Sequence, residues 1–176
     1  MTESTLIIYS SKNGASETYA NEIARRLNLI ARPLNRLKKR DLDGCETLIY
    51  CAGIYISKIR GLKKLRKLSQ DAPCRNYHFF VAGLSEDNQA TIEKLRLDNQ
   101  EDLPSPVSSI TYARGIFEVS KMGFFTRIMF RVLYRILAKK TDPSPEETGL
   151  MEAIKSPVYA IDLTKTESLI TALKEG

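Results

Sequence analysis

The stretch Leu6–Leu27, LIIYSSKNGASETYANEIARRL, places an apolar run directly before a turn rich in hydroxyl and amide side chains around one glycine. The run TLIIY at Thr5–Tyr9 predicts a buried β-strand, because it is short and apolar. After the turn, apolar residues recur between Ala20 and Leu27 with the spacing of one helix face. The stretch therefore predicts a strand, a tight turn and a helix in immediate succession.

Further apolar runs predict more strands along the chain. They are LIARPLN at 29–35, TLIYCAGIY at 47–55, YHFFVAGLS at 77–85 and SSITYARGIF at 108–117. Pro33 indicates an edge position for the second strand, because proline cannot donate a ladder hydrogen bond. The segment SPVYAID at 156–162 is a further candidate that would extend the sheet.

Helical patterns fill the intervals between these strands. Leu62, Leu65 and Leu68 are interleaved with lysine and arginine, which predicts a helix with a basic outer face. ATIEKLRL at 90–97 and LTKTESLITALKE at 163–175 also predict helices, the second capped by Asp162. Strands that alternate with helices indicate parallel crossover units, and nearly continuous apolar strands indicate a sheet covered on both faces. The fold class is therefore α/β.

The composition is that of one soluble globular domain, 1–176. Of its 176 residues, 43% are hydrophobic and 27% charged, and the net charge of +6 favours anionic partners.

No signal pattern or bilayer-spanning run is seen in the sequence. The three cysteines have no metal spacing, which indicates free thiols in the cytoplasm. Cys51 lies in an apolar run and is expected to be buried. His78 is the single histidine, which argues against histidine-based metal sites, and no metal is predicted.

The turn Ser11–Ser16, SKNGAS, is a candidate anion site. In a doubly wound sheet, ligands lie at the carboxyl ends of the strands, and backbone N–H groups at a helix start favour negative charge there. Gly14 would let the loop fold tightly, while Ser11, Asn13 and Ser16 would donate hydrogen bonds. The alternative is that these residues only cap the helix.

Other phosphate-site signatures fit the turn less well. A Walker loop needs GxxxxGK[ST] and a dinucleotide fold needs GxGxxG, whereas this turn has only Gly14 and lacks the required lysine and span. A response-regulator receiver domain would need an acidic magnesium pocket, and Ser10, Ser11 and Lys12 stand in its place.

The residues Ile7–Ser16, followed by Ala20 and Ile23, resemble the FMN-phosphate signature of the flavodoxin family, with Ser16 where the family usually has threonine. The resemblance implies a flavodoxin-like three-layer sandwich with a five-stranded parallel sheet in strand order 2-1-3-4-5. It also implies that the turn wraps the phosphate of FMN with hydroxyls and backbone amides.

The same resemblance assigns two further loops to the flavin ring. AGIYISKIRG at 52–61 follows the third strand, where Tyr55 is either a stacking residue or an ordinary strand-end aromatic. GLSEDN at 83–88 follows the fourth strand and lacks the stacking tyrosine usual in electron-carrier flavodoxins. The implied cofactor-binding residues are Ser11, Lys12, Asn13, Gly14, Ala15, Ser16, Ala52, Gly53, Ile54, Tyr55, Ser57, Gly83, Leu84 and Ser85.

Residues 118–149 interrupt the alternation and are predicted to be an insertion. Within it, ten of the fourteen residues of Phe124–Leu137 are apolar, and Arg127, Arg131 and Arg135 recur along one helical stripe. Such an amphipathic helix suits an interfacial membrane contact or a protein contact. The alternative is a helix packed on the domain with a solvated face. Nucleic acid fits less well, because the basic residues alternate with aliphatic side chains rather than stacking aromatics.

The loop at 52–61 and the segment YARGIFEVSKMGFFTRIMFRVLYRILAKKTD at 112–142 resemble the menaquinone-dependent protoporphyrinogen oxidases, a basic branch of the flavodoxin superfamily. The resemblance implies an FMN enzyme that moves electrons from a small organic donor, a porphyrinogen, to a membrane quinone, in the cytoplasm or at the inner face of the membrane. The arginine stripe would hold anionic headgroups or substrate carboxylates. No residue stands out as a catalytic acid or base.

Two other functions stay open on the sequence. One is a flavodoxin-type electron carrier whose insertion docks a redox partner, although soluble carriers of that family are typically acidic and this chain is basic. The other is a diverged flavodoxin-like domain that binds no flavin. The sequence does not indicate an oligomeric state.

Overall fold

A parallel β-sheet forms the centre of the chain, and helices cover both of its faces. The computed structural model describes residues 4–55, 57–71, 73–143 and 145–175. The strands are β1 (Thr5–Ser10), β2 (Ala31–Pro33), β3 (Thr47–Tyr55), β4 (Lys58–Ile59), β5 (Asn76–Gly83), β6 (Val107–Arg114), β7 (Ile116–Phe117) and β8 (Val158–Tyr159). The α-helices are α1 (Ala15–Leu27), α2 (Leu62–Ser69), α3 (Gln89–Asn99), α4 (Phe124–Leu137), α5 (Pro145–Lys155) and α6 (Thr166–Glu175).

The sheet has the predicted strand order. Its parallel strands run β2-β1-β3-β5-β6, which is the order 2-1-3-4-5 when only these five strands are counted. The short β4 folds back antiparallel on the end of β3, where Ile54 pairs with Ile59. Because all five main strands run the same way, their carboxyl ends lie along one edge of the sheet.

Two apolar layers hold the helices on the sheet. Ile7, Ile49 and Phe80 pack with α1 on one face, while Ile8 and Tyr50 pack with α2 on the other. These side chains alternate along the strands, as the two-residue period of a strand requires. The chain is therefore a three-layer α/β sandwich, as predicted.

The fifth strand of the sheet is shorter than predicted. β6 ends at Arg114, and the prediction of one strand over 108–117 is wrong because β5 ends at Gly83, opposite Arg114. Beyond that point Ile116 has no neighbour in the parallel sheet, and β7 pairs antiparallel with β8 instead. The segment 156–162 accordingly does not extend the main sheet, and that prediction is also wrong.

His78 and Cys51 lie within strands of the sheet, and Asp162 lies shortly before α6. Nδ1 of His78 lies 2.8 Å from Oγ of Ser109, and burial lowers the pKa of His78, which keeps the ring neutral at pH 7. Cys51 is fully buried, as predicted. Asp162 accepts a hydrogen bond from the amide of Thr164 and caps the 3-10 turn that leads into α6. In the described parts of the chain, no group of acidic, histidine or cysteine side chains could hold a metal ion.

The insertion is helical and longer than predicted. A 3-10 turn at Val119–Lys121 leads into α4, whose bounds Phe124–Leu137 match the predicted amphipathic helix. A second helix, α5, continues to Lys155, six residues past the predicted end of the insertion. Ser144, between the two helices, lies outside the described residues. Within the described ranges, no helix combines the length and apolarity needed to cross a bilayer.

Candidate functional site

A cavity of about 660 Å³ opens at the carboxyl edge of the sheet. The loops after β1, β3 and β5 form its floor, and α4 forms its roof. A volume of this size lies within the usual range for small-molecule and cofactor sites. Among the described residues that line the cavity, Lys12 and Arg60 carry positive charge and none carries a carboxylate. The walls therefore favour an anionic ligand.

The turn after β1 leaves the start of α1 without a side-chain cap. Its N-cap is Gly14, in the left-handed region at φ 90°, and because this residue is glycine it offers no side-chain cap. Because uncapped N–H groups and the helix dipole attract negative charge, this end of the cavity suits a phosphate.

The side chains of this turn hold the loop in place. The amide of Gly14 donates to Oγ of Ser11 at 3.1 Å, and Nδ2 of Asn13 donates to the carbonyl of Ile116 at 3.4 Å. Oδ1 of Asn13 is buried and has no hydrogen-bond partner among the described residues. Ser16 is 2% exposed, in the first turn of α1. A buried acceptor without a partner is costly unless a ligand completes it.

The last residues of β3, Gly53, Ile54 and Tyr55, line the cavity. A Cβ atom on Gly53 would lie 3.8 Å from Oγ of Ser16, so the first and second loops approach closely here. The hydroxyl of Tyr55 lies 3.8 Å from Sδ of Met129 on α4 and links floor to roof. Ile56, in the same predicted loop, lies outside the described residues.

Ser57 occupies a different position from the other predicted residues of its loop. It has a positive φ of 59°, and its carbonyl accepts a hydrogen bond from Nδ2 of Asn99 at 2.9 Å. The backbone of Ser57 therefore bonds α3 rather than the cavity. The adjacent Ile59 amide donates to Oδ1 of Asn99, which fixes the β3–β4 turn against that helix.

The loop after β5 lies next to a buried tyrosine, Tyr112, which was not among the predicted site residues. Gly83, Leu84 and Ser85 line the cavity, as does Tyr112 of β6. A Cβ atom on Gly83 would lie 2.3 Å from the Tyr112 hydroxyl, so only glycine leaves room for this ring. The hydroxyl is buried close to Ser85 but makes no hydrogen bond of standard geometry with any described residue, and burial raises the pKa of Tyr112. It is therefore a protonated donor at neutral pH.

Most of the predicted cofactor-binding residues are brought together on the cavity wall. Those that line it are Ser11, Lys12, Asn13, Ala15, Ser16, Gly53, Ile54, Tyr55, Gly83, Leu84 and Ser85. Gly14, Ala52 and Ser57 do not line it. Binding of a cofactor by these residues stays a prediction, because the cavity establishes only that they surround one space.

The roof, α4, is apolar both toward the cavity and toward solvent. Phe130 and Leu133 line the cavity, and Phe130 makes an edge-on contact with Phe117 at 5.3 Å between ring centroids. Other large apolar residues of the helix are exposed, including Phe125, which is 84% exposed, and three of them, Met129, Val132 and Ile136, also line the open cavity. The exposed apolar residues of this helix are Phe124, Phe125, Ile128, Met129, Val132 and Ile136.

The predicted arginine stripe runs along this exposed surface. Arg127, Arg131 and Arg135 are all exposed, and no ion pair involving them occurs in the described part of the chain. Their spacing places them beside the exposed apolar residues on the helix surface. The helix therefore presents adjacent basic and apolar strips to solvent.

A polar cluster fixes the chain between β7 and α4. Glu118 accepts hydrogen bonds from Oγ of Ser120 at 2.7 Å and from the Tyr159 hydroxyl, and it pairs with Lys121 at 2.8 Å. Lys121, with these two hydroxyl donors, lowers the pKa of Glu118 to about 2. Because Tyr159 belongs to β8, the cluster ties the two ends of the insertion together.

Comparison with known proteins gives one match along the sequence and several in three dimensions. The fold resembles the two-electron reduced flavodoxin of Megasphaera elsdenii (12% identity, 86% of this chain and 99% of that chain, TM-score 0.47). It also resembles a flavodoxin from the domain Archaea (11% identity, 86% and 99%, TM-score 0.44) and the Trp repressor binding protein of Bacillus subtilis (12% identity, 63% and 84%, TM-score 0.45). No curated protein sequence matches the chain significantly.

The match along the sequence covers most of the chain. The family model described as flavodoxin domain matches residues 6–144, which include β1 to β6, the three cavity loops and α4. The chain therefore belongs to the flavodoxin domain family.

Proposed function

We propose that the chain binds FMN in this cavity and acts as an FMN-dependent oxidoreductase, passing electrons from a porphyrinogen to a membrane quinone. The observation that carries the proposal is the pairing of an uncapped helix start at one end of the cavity with the apolar roof of α4 at the other. A cofactor with a phosphate tail and a flat, largely apolar ring matches both ends. Membership of the flavodoxin domain family supports the same cofactor.

The buried polar atoms on the wall fit a flavin. Oδ1 of Asn13 is buried without a partner among the described residues, the buried hydroxyl of Tyr112 makes no hydrogen bond of standard geometry there, and FMN offers donors and acceptors along its ribityl chain and ring. When bound, FMN supplies the electron-transfer chemistry, accepting two-electron equivalents from a donor. The chain would hold the phosphate with the amides at the start of α1 and the ring with the loops after β3 and β5.

The remaining wall suits the proposed donor. The side chains of α4 and β7, among them Phe117, Phe130 and Leu133, give the cavity an apolar wall against which a flat organic donor could pack. Lys12 and Arg60 line the same cavity and would pair with carboxylates of a porphyrinogen. These residues would bind and orient the donor.

The direct test is flavin content followed by turnover. The purified protein is expected to be yellow, to release FMN on heating, and to oxidise protoporphyrinogen with a menaquinone analogue as acceptor. A colourless protein that cannot be reconstituted with FMN would overturn the proposal. A yellow protein that is reduced rapidly by a ferredoxin reductase but does not turn over the porphyrinogen would instead support the electron carrier and reject the enzyme.

Charge reversal on α4 tests the route to a membrane quinone. The triple variant Arg127→Glu, Arg131→Glu and Arg135→Glu is expected to bind vesicles containing anionic lipid at least about a hundredfold more weakly, because each basic residue near such a surface contributes about 1 kcal/mol. Sedimentation with vesicles of phosphatidylcholine and phosphatidylglycerol measures the loss.

A matched control separates this surface from net charge. Lys63, Lys64 and Lys67 are exposed on α2, so reversing them to glutamate makes the same change in charge on another helix. The control variant is expected to retain most of its vesicle binding. Equal losses in the two triple variants would show that α4 has no special role.

A further inference from the structure

Two of the three cysteines meet at the edge of the sheet opposite the cavity. Thr47 of β3 pairs with Asn76 of β5, and Cys45 and Cys74 each lie two residues before these partners. The amide of Asn76 donates to the carbonyl of Glu46 at 2.9 Å, so the ladder contact continues between the two cysteines. Their sulfur atoms lie 2.7 Å apart.

The two thiols differ in access and share a proton. Cys74 is 2% exposed, whereas Cys45 is half-buried and reaches solvent. The hydrogen bond between them lowers the pKa of Cys74 and raises that of Cys45, so the first proton lost by the pair leaves a thiolate that the remaining S–H stabilises. Because the two sulfurs are in contact, Cys74 as the thiolate can take the proton of the more exposed Cys45 and so generate the Cys45 thiolate as it reacts.

We propose that Cys45 and Cys74 form a redox-active dithiol, which a small-molecule disulfide oxidises to an intramolecular disulfide. The Cys45 thiolate attacks one sulfur of the oxidant, forming a mixed disulfide and releasing one thiolate. Cys74, after giving up its proton, attacks the Cys45 sulfur of that mixed disulfide and releases the second thiolate. The pair loses two electrons and two protons, and the oxidant becomes two thiols.

The site is independent of the proposed flavin chemistry. Cys45 precedes Gly53 by eight residues along the extended β3 segment, or roughly 26 Å at about 3.3 Å per residue, which is too far for direct exchange with a ligand in the cavity. The disulfide would close the loop that carries β3, β4 and α2. Closing the loop between Cys45 and Cys74 reduces the conformational entropy of the unfolded chain, so oxidation is expected to raise the thermal stability of the protein.

The test treats the purified full chain with oxidised glutathione. The wild type is expected to lose about 2 Da, the mass of two hydrogen atoms, and to fall from three alkylatable thiols to one after denaturation. Peptide mapping is expected to link Cys45 to Cys74, and the midpoint of thermal unfolding is expected to rise by several degrees. Dithiothreitol is expected to reverse all of these changes.

Single substitutions test whether Cys45 and Cys74 react with each other. Cys74→Ser is expected to accumulate a stable glutathione adduct on Cys45 without an internal crosslink, because the resolving thiol is gone. Cys51→Ala is the control, since Cys51 is fully buried in the core, and it is expected to oxidise like the wild type. A stable glutathione adduct on the wild type, an absence of thiol loss, or a crosslink through Cys51 would overturn the proposal.

Discussion

Replacing Asn13 by aspartate is expected to weaken FMN binding at least about a hundredfold. The two side chains have nearly the same shape, but aspartate places a negative charge beside the proposed phosphate site and removes the donor to the carbonyl of Ile116. Two like charges about 4 Å apart repel by about 4 kcal/mol at the effective dielectric of a protein surface. A hundredfold change in affinity corresponds to about 2.7 kcal/mol, so the repulsion is large enough.

The measurement is titration of the apoprotein with FMN, followed by quenching of flavin fluorescence. Asn21→Asp is the matched control, because Asn21 lies on the exposed side of α1 and undergoes the same change in charge and shape. It is expected to change the dissociation constant less than about threefold, since the added charge is screened by solvent. If both variants bind FMN as the wild type does, the turn after β1 is not the phosphate site.

Replacing Gly61 by alanine is expected to destabilise the fold by about 3 kcal/mol. Gly61 is the N-cap of α2 and has φ 77°, a conformation that costs an L-residue about 1 kcal/mol. A Cβ atom there would also lie 2.5 Å from the Tyr50 hydroxyl and 2.6 Å from Cδ2 of Leu34, both of which are buried. Relieving such contacts in a packed core costs roughly 1–3 kcal/mol of folding free energy.

Gly44 provides the control that separates the cost of the left-handed backbone conformation from the cost of steric overlap. It has φ 76°, yet a Cβ atom at this position would meet nothing within 4 Å. Gly44→Ala is therefore expected to cost only about 1 kcal/mol. Urea unfolding followed by circular dichroism measures both free energies of unfolding. Equal losses in the two variants would mean that the contacts with Tyr50 and Leu34 contribute nothing.

The sequence predicts the sheet well because its strands are local apolar runs. β3 spans the predicted range Thr47–Tyr55, and α4 spans the predicted range Phe124–Leu137. In both cases the periodicity of the segment itself decides its structure, and the burial of that segment follows from the same pattern. The carboxyl-end loops then come together as a consequence of parallel strands, which is why most predicted site residues share one cavity.

The features that the sequence analysis missed depend on contacts between distant segments. Tyr112 lies in an apolar strand and gives no local signal that its hydroxyl lies over Gly83. The pairing of β7 with β8 joins residues 116 and 159, and no short-range pattern encodes it. Cys45 and Cys74 are adjacent only because β3 and β5 are neighbours in register. Each of these features becomes predictable only once the pairing of the strands is known.

Because β7 pairs with β8, the insertion that carries α4 begins and ends at neighbouring points of the domain. Phe117 pairs with Val158, so the segment between them leaves and rejoins the domain at points one strand spacing apart, about 5 Å. Its length and sequence can therefore vary while all five parallel strands keep their places. On the proposed function, selectivity for the donor and attachment to a surface would both reside in this insertion, and a different insertion on the same sheet would give a protein with other partners.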